Sequence, residues 1–410
     1  MRTYVMDPAG SVRIEEFFQR IGKHLPDKRQ RASFATYAFG LMGDTERKSV
    51  EPIAARVCKQ PAECKQMQNR LLDFLGRGRW SDEPVRLEAA QFVVEKLAAS
   101  QEMVFAWVID DTGMLKQGKE SVGVQRQYTG SAGKITNCQI AVSLSIATRS
   151  EQVPIDFELY LPEEWLDDAE RRDKARIPAH VTFKTKIDLA LDMLDRAHAA
   201  GLPGDVVLAD CAYGESVDFR LTVRTLGFDF AVGVRGRTSV FLLDSRGRPI
   251  GAPLLAQDIG TILGRKQFRK YSWKESTSGR KLSSRFCFRR VKVAADDGSP
   301  LPQREQLWLM IEWPTGEPKP TKYFLTTMPR RMAKKQIARI VKERWKTERV
   351  YEEMKGELGL DHYEGRSFPG WHHHVSVAIC CYAFIAAERV RAFSPSARGK
   401  GRADEVGDAA

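Results

Sequence analysis

Three carboxylates, far apart in the chain, are the residues best placed to do chemistry. Asp110 follows the apolar run 103–109 (MVFAWVI), Asp210 follows 205–209 (DVVLA), and Glu348 lies within 337–358, IARIVKERWKTERVYEEMKGEL. Short apolar runs rich in β-branched and aromatic residues, stopped by a polar turn, read as buried strands. In open α/β sheets, ligands gather at the carboxyl ends of such strands. Three acids suffice to hold two Mg²⁺ ions about 4 Å apart, which activate a water or a 3′-hydroxyl for in-line attack on a phosphodiester. Each acid also has a plainer reading. Aspartate forms turns in every kind of protein, and Glu348 with Glu352 and Lys355 fits a solvated stripe of helical ion pairs.

The elements must bring these acids together. In 337–358, Ile337, Ile340, Val341, Trp345, Tyr351, Met354 and Leu358 recur at helical spacing, which predicts one long amphipathic helix. On it Arg344, Glu348 and Lys355 would share an arc of about 60°. Upstream, 14–21, 33–41, 50–57, 66–75 and 85–98 read as helices, with 50–75 a weak helix-turn-helix candidate. Strands are expected at 103–109, 116–128, 135–146, 205–209 and 228–234, and helices at 183–200 (capped by Gly201), 216–226 and 374–393. Residues 151–179 read as an acid-rich loop with a short helix near 163–174. Asp110 and Asp111 cannot both face one site, because side chains alternate along a strand.

Composition narrows the partner. The chain has 410 residues and a net charge of +12, an excess of Lys and Arg suited to a polyanion. Seven scattered cysteines without a CxxC pair argue against a disulfide framework or a zinc finger and for a reducing cytoplasm. No secretory signal is visible, and the longest apolar run, 375–387, is too short to span a bilayer, so a cytoplasmic protein without membrane association is expected. From Arg265 to Lys292 there are eleven Lys or Arg against the single acid Glu275, interleaved with Phe268, Tyr271, Trp273, Phe286 and Phe288. This reads as a phosphate-contacting platform, with Arg269, Lys270, Arg289 and Arg290 as DNA-binding candidates, or as an edge protected by charge. His372, His373 and His374 spread over about 200° of a helix and so do not converge on one ion. The glycines at 118, 123, 130 and 133 lack the GKS/T of a phosphate loop.

Three blocks carry a family resemblance: VIDDTGMLKQGKESVGVQRQYTGSAGKITNCQIAVSL, VVLADCAYG and RWKTERVYEEMKGELGLDHYEGRSFPGWHHH. They resemble the DDE transposases of bacterial insertion sequences, in the group marked by the YREK signature, over residues from about 100 to 390. The resemblance implies an α/β, RNase H-like mixed-sheet core in which Asp110, Asp210 and Glu348 bind two Mg²⁺ ions, with Mn²⁺ as a substitute. It puts the metal ligand at Asp110 rather than Asp111. The signature arginine, glutamate and lysine fall on Arg344, Glu348 and Lys355; its tyrosine position is Val341, a departure. Arg344, Trp345 and Lys355 are expected at the DNA. The implied organisation is a helical DNA-binding domain (1–98), a core in two parts (99–234 and 321–393), a β-rich insertion (235–320) and a disordered tail (394–410). The implied activity is cutting at terminal inverted repeats and joining 3′-hydroxyls to target DNA, by a homodimer on double-stranded DNA. The alternatives are a non-catalytic, domesticated DNA-binding protein and an RNase H-like nuclease without strand transfer.

Overall fold

Helical spacing in the first hundred or so positions is matched by five helices: α1 (Pro8–Gly22), α2 (Lys28–Met42), α3 (Val50–Val57), α4 (Pro61–Gly76) and α5 (Asp82–Ala99). Asp27 caps α2 by accepting from the Gln30 amide at 2.8 Å, and Pro61 opens α4, where its missing N–H costs nothing. The structure is a computed structural model describing residues 8–275, 281–295 and 305–393. The expected disordered tail lies outside the described residues.

The first strand corrects one expectation. β1 (Ala106–Leu115) does not stop at Asp110; residues 112–114 beyond it are buried, and the strand continues to Leu115. Then follow β2 (Gln125–Thr129), shorter than expected, β3 (Lys134–Ala147) and β4 (Gln152–Leu159). β4 falls where a loop was expected. Its acids Asp156 and Glu158 both sit against the guanidinium of Arg196. The short helix expected near 163–174 is two, α6 (Glu163–Asp167) and α7 (Ala169–Lys174). α8 (Lys186–Ala199) opens on a capping box between Thr185 and Asp188, and Gly201 follows it at φ +67°.

Then come β5 (Val206–Ala209), α9 (Cys211–Gly214), α10 (Val217–Thr225), β6 (Asp229–Val234), β7 (Ser239–Leu243), β8 (Pro249–Leu255), α11 (Ala256–Leu263), β9 (Arg269–Glu275), β10 (Lys281–Val293), β11 (Leu307–Trp313) and β12 (Lys322–Thr326). Residues 337–358 are not one helix. α12 (Lys334–Lys342) passes through a 3₁₀ turn, Glu343–Trp345, into α13 (Lys346–Gly356). The tighter turn eclipses residues three apart, and Lys346 Nζ meets Glu343 Oε2 at 2.7 Å across it. The angular argument that put Arg344 on one stripe with Glu348 and Lys355 therefore does not hold. α14 (Phe368–Phe393) starts earlier than expected.

The chain divides into two compact units. One holds 105–110 and 204–346. Its strands run β1-β5-β6-β12-β11-β10-β7-β8, with β9 also on β10; β1, β5 and β6 are parallel and the rest antiparallel. The β-rich stretch after β6 is thus hydrogen-bonded to the parallel strands through β12. The other unit holds 8–104, 111–203 and 347–393 among the described residues. In it β2, β3 and β4 pair antiparallel, and α14, almost wholly buried, packs on α2, α4, α5 and β4. No helix among the described residues is long and apolar enough to cross a membrane.

Candidate active site

β1 and β5 pair in parallel, with Ala106, Trp107 and Val108 opposite Val206, Val207 and Leu208. Asp110 and Asp210 each come two residues after the last pair of that register, Val108 opposite Leu208. Trp107 fixes the ladder's start. Its indole packs on Phe228 with ring centroids 4.4 Å apart, and it lies so close to Gly204 that a Cβ there would stand 2.6 Å from Nε1.

Asp210 also caps α9, its Oδ1 accepting from the Ala212 amide at 2.8 Å. The turn behind it requires glycine. A Cβ on Gly214 would meet the Gly233 carbonyl oxygen at 1.9 Å, and one on Gly233 would meet the Cys211 amide nitrogen at 2.9 Å. Turn and β6 therefore touch backbone to backbone, which holds the Asp210 carboxylate at the strand end. Sequence reasoning missed both glycines; the CAYG string after the acid was the available signal.

Arg344, in the 3₁₀ turn of the same unit, donates from Nη1 to Asp110 Oδ2. Two residues earlier, Lys342 Nζ donates to the buried Glu312 at 3.0 Å and lies over Trp273 at 4.8 Å. Burial lowers the Lys342 pKa despite that carboxylate. Trp345 is half-buried, and Val341, at the signature's tyrosine position, is buried.

The other unit resumes at Asp111, whose Oδ2 accepts from Lys186 Nζ at 2.9 Å. Neighbouring aspartates thus have different cations, as strand alternation requires. Glu348 lies exposed in the first turn of α13. Around it the helix is tightly held: Thr347 Oγ1 accepts from Gln152 at 2.8 Å, and Tyr351 Oη lies 2.6 Å from Ser143 Oγ. Lys355, two turns on, donates to the Gly113 carbonyl at 2.8 Å and to Ser131 Oγ at 3.1 Å, and burial lowers its pKa. Lys116 at the end of β1 donates to the carbonyls of Asp361 and Tyr363 at 3.1 and 2.6 Å; burial brings its pKa to about 8. Sequence reasoning did not find Lys116.

Carboxylate oxygens are hard donors of the kind magnesium takes, and Asp110 already faces a positive charge in Arg344. Among the described residues, no three His, Cys, Asp or Glu side chains converge as a ready-made cage. The histidines go three ways: His372 to the Phe368 carbonyl, His373 to those of Leu75 and Trp80, and His374 between Tyr37 Oη and the carbonyls of Gly359 and Leu360.

On the β9–β10 ribbon, Arg269 and Lys270 are exposed. Arg289 instead donates to the Phe288 carbonyl and Gln267, and Arg290 to the Gln306 carbonyl while lying 4.8 Å over Trp308. Phe268 and Phe286 are core residues, not platform.

A family described as DDE superfamily endonuclease matches residues 17–280, and one described as transposase DDE domain matches 183–384. The first range contains Asp110 and Asp210, the second Asp210 and Glu348. A similar protein is the probable transposase for insertion sequence element IS701 of Microchaete diplosiphon, 27% identical over 231 residues. That match covers 56% of this chain and 56% of the relative, so it spans little more than half the relative's length. Among solved structures, a piggyBac transposase synaptic complex with hairpin DNA, from cryo-EM, aligns at a TM-score of 0.44 and 12% identity over 97% of this chain and 78% of that one.

Proposed function

This chain belongs to the DDE superfamily endonucleases, and from that membership we propose that it is the transposase of a bacterial insertion sequence. It binds the terminal inverted repeats of its element as a homodimer, cuts at the ends and joins the 3′-hydroxyls to target DNA. The observation that supports this reading is the parallel pairing of β1 with β5, Val108 opposite Leu208, two residues before Asp110 and Asp210. With Glu348 these carboxylates would hold two Mg²⁺ ions, or Mn²⁺ in their place. Bound there, the ions would polarise the scissile phosphate and lower the pKa of the attacking water or hydroxyl.

The chain's own side chains do the rest. Asp210, fixed by its cap on Ala212, presents one oxygen from a rigid turn. Arg344 orients Asp110 and keeps a guanidinium beside the bound phosphate, where its planar fork suits phosphate oxygens. Arg269 and Lys270, with Trp345, contact the flanking duplex, and the helices α1–α5 contribute to end recognition. Net charge of +12 favours encounter with DNA at low salt.

The test is a strand-cleavage and joining assay with Mg²⁺ on duplex carrying the inverted repeats that flank the coding region. Cut and joined products are expected. Binding without cutting would replace the proposal with a non-catalytic DNA-binding protein, and cutting without joining would replace it with a nuclease.

A further inference from the structure

Lys334, the first residue of α12, stands among like charges rather than acids. Its Nζ lies 3.2 Å from the centroid of the Trp308 ring and 5.7 Å from that of Phe288. Trp308 on β11 is directly opposite Arg290 on β10, and the Arg290 guanidinium lies 4.8 Å over the same indole. Two cations therefore share one ring. Arg290 is anchored by donating to the Gln306 carbonyl at 2.5 Å. Arg330, exposed in the turn before α12, is a third cation in reach of Lys334. The acid nearby, Glu305, already pairs with Arg224 at 2.8 Å. All these residues belong to one unit.

A lysine laid along an indole packs well and needs no further role. Packing does not account for the charges around this one. Burial, the two guanidinium groups and the start of a helix that has no side-chain cap all oppose an ammonium here. Burial first, then Arg290 and Arg330, bring the Lys334 pKa to about 8. At pH 7 about one amine in ten is then neutral, against roughly one in 3,000 for an ordinary lysine. A neutral amine beside fixed cations is a nucleophile that also attracts anionic reagents.

We propose that Lys334 is an acyl-acceptor site whose donor is a small acyl phosphate. Arg290 and Arg330 attract the phosphate, and Nζ attacks the carbonyl carbon. The C–N bond forms as the C–O bond to phosphate breaks, and one amine proton leaves with the phosphate. The product amide carries no charge, so it relieves the repulsion from Arg290, Arg330 and the helix start and takes the cation off Trp308.

The experiment treats the full-length protein, without DNA, with acetyl phosphate at pH 7.5 and follows acetylation of each lysine by peptide mass spectrometry. Lys334 should be acetylated at least about 10-fold faster than Lys335, its exposed neighbour in the same helical turn. An uncharged reagent, N-hydroxysuccinimidyl acetate, separates the amine's reactivity from capture of the phosphate. Arg330→Gln should slow acetylation by acetyl phosphate at least about 3-fold more than acetylation by the uncharged ester. Inorganic phosphate should compete with acetyl phosphate alone. Because Arg330 is exposed, the urea midpoint of Arg330→Gln should match wild type. Equal acetylation of Lys334 and Lys335 in the folded protein would overturn the site. A preference for Lys334 that is the same with both reagents and unmoved by inorganic phosphate would overturn acyl phosphate as its donor.

Discussion

Each unit has a place where acids and guanidinium groups meet, and the two are built to opposite purposes. In the unit containing α5 and β4, Arg86 is 5% exposed and meets Asp82, Asp156 at 2.8 Å and Glu158 at 3.7 Å. Arg196 joins the same two β4 acids at 2.7 and 2.6 Å, and His372 lies 3.6 Å from Glu158. In the other unit, Asp110 meets Arg344 and Asp210 meets a backbone amide. The first arrangement saturates buried acids with protein cations from three helices. The second sets Asp110 within β1 and Asp210 at the cap of α9. The difference teaches that acid–base content alone does not separate one kind of place from the other; in the first, each β4 acid is shared by two guanidinium groups.

Substitutions sharpen the contrast. The largest expected effect is on cleavage: Asp110→Asn, Asp210→Asn or Glu348→Gln should slow it roughly 10³-fold or more, since metal-held carboxylates underlie several kcal/mol of transition-state stabilisation. DNA binding and urea midpoint should stay near wild type. For Asp210 the asparagine preserves the cap, so a stability loss there would break the comparison. The lattice should behave in reverse. Arg86→Met strands buried acids without their cation and should cost about 3–5 kcal/mol in urea unfolding.

Acid should separate the two sites as well. Burial alone would raise the Glu158 carboxyl, but His372, Arg86 and Arg196 outweigh it and bring its pKa to about 2. A folded pKa below the unfolded value contributes stability that is present above the unfolded carboxylate range and is lost as pH falls from there toward 2. Unfolding followed between neutral pH and about pH 2 should show this loss, and Glu158→Gln should flatten it. The smallest effect concerns the β9–β10 ribbon. Arg269→Ala with Lys270→Ala should lower the salt dependence of DNA binding by about two phosphate contacts. Arg289→Ala should change it less, because that guanidinium already serves Phe288 and Gln267.

Much of the fold was legible because periodicity reports burial directly. The five N-terminal helices, β5, β6 and α10 fall where apolar spacing put them. What escaped was decided by partners distant in sequence. β4 looked like a loop because nothing local reveals that Asp156 and Glu158 meet Arg86 and Arg196. The continuous helix through 337–358 failed at Glu343–Trp345, where an ion pair three residues apart accompanies a tighter turn. At the candidate site, the parallel pairing of β1 with β5 was not readable, since nothing local reveals a ladder whose strands are a hundred residues apart. The ribbon's eleven cations were countable, but not that carbonyls and a ring engage Arg289 and Arg290.

β1 gives its first half to one unit and its second half to the other. No single break in the polypeptide can therefore liberate either unit intact. A fragment starting at Gly204 would keep β5 but forfeit its parallel neighbour, uncovering the bed against which Trp107 rests. Limited proteolysis should accordingly yield nicked molecules that stay associated, and dissection of this protein has to proceed by point substitution rather than by truncation.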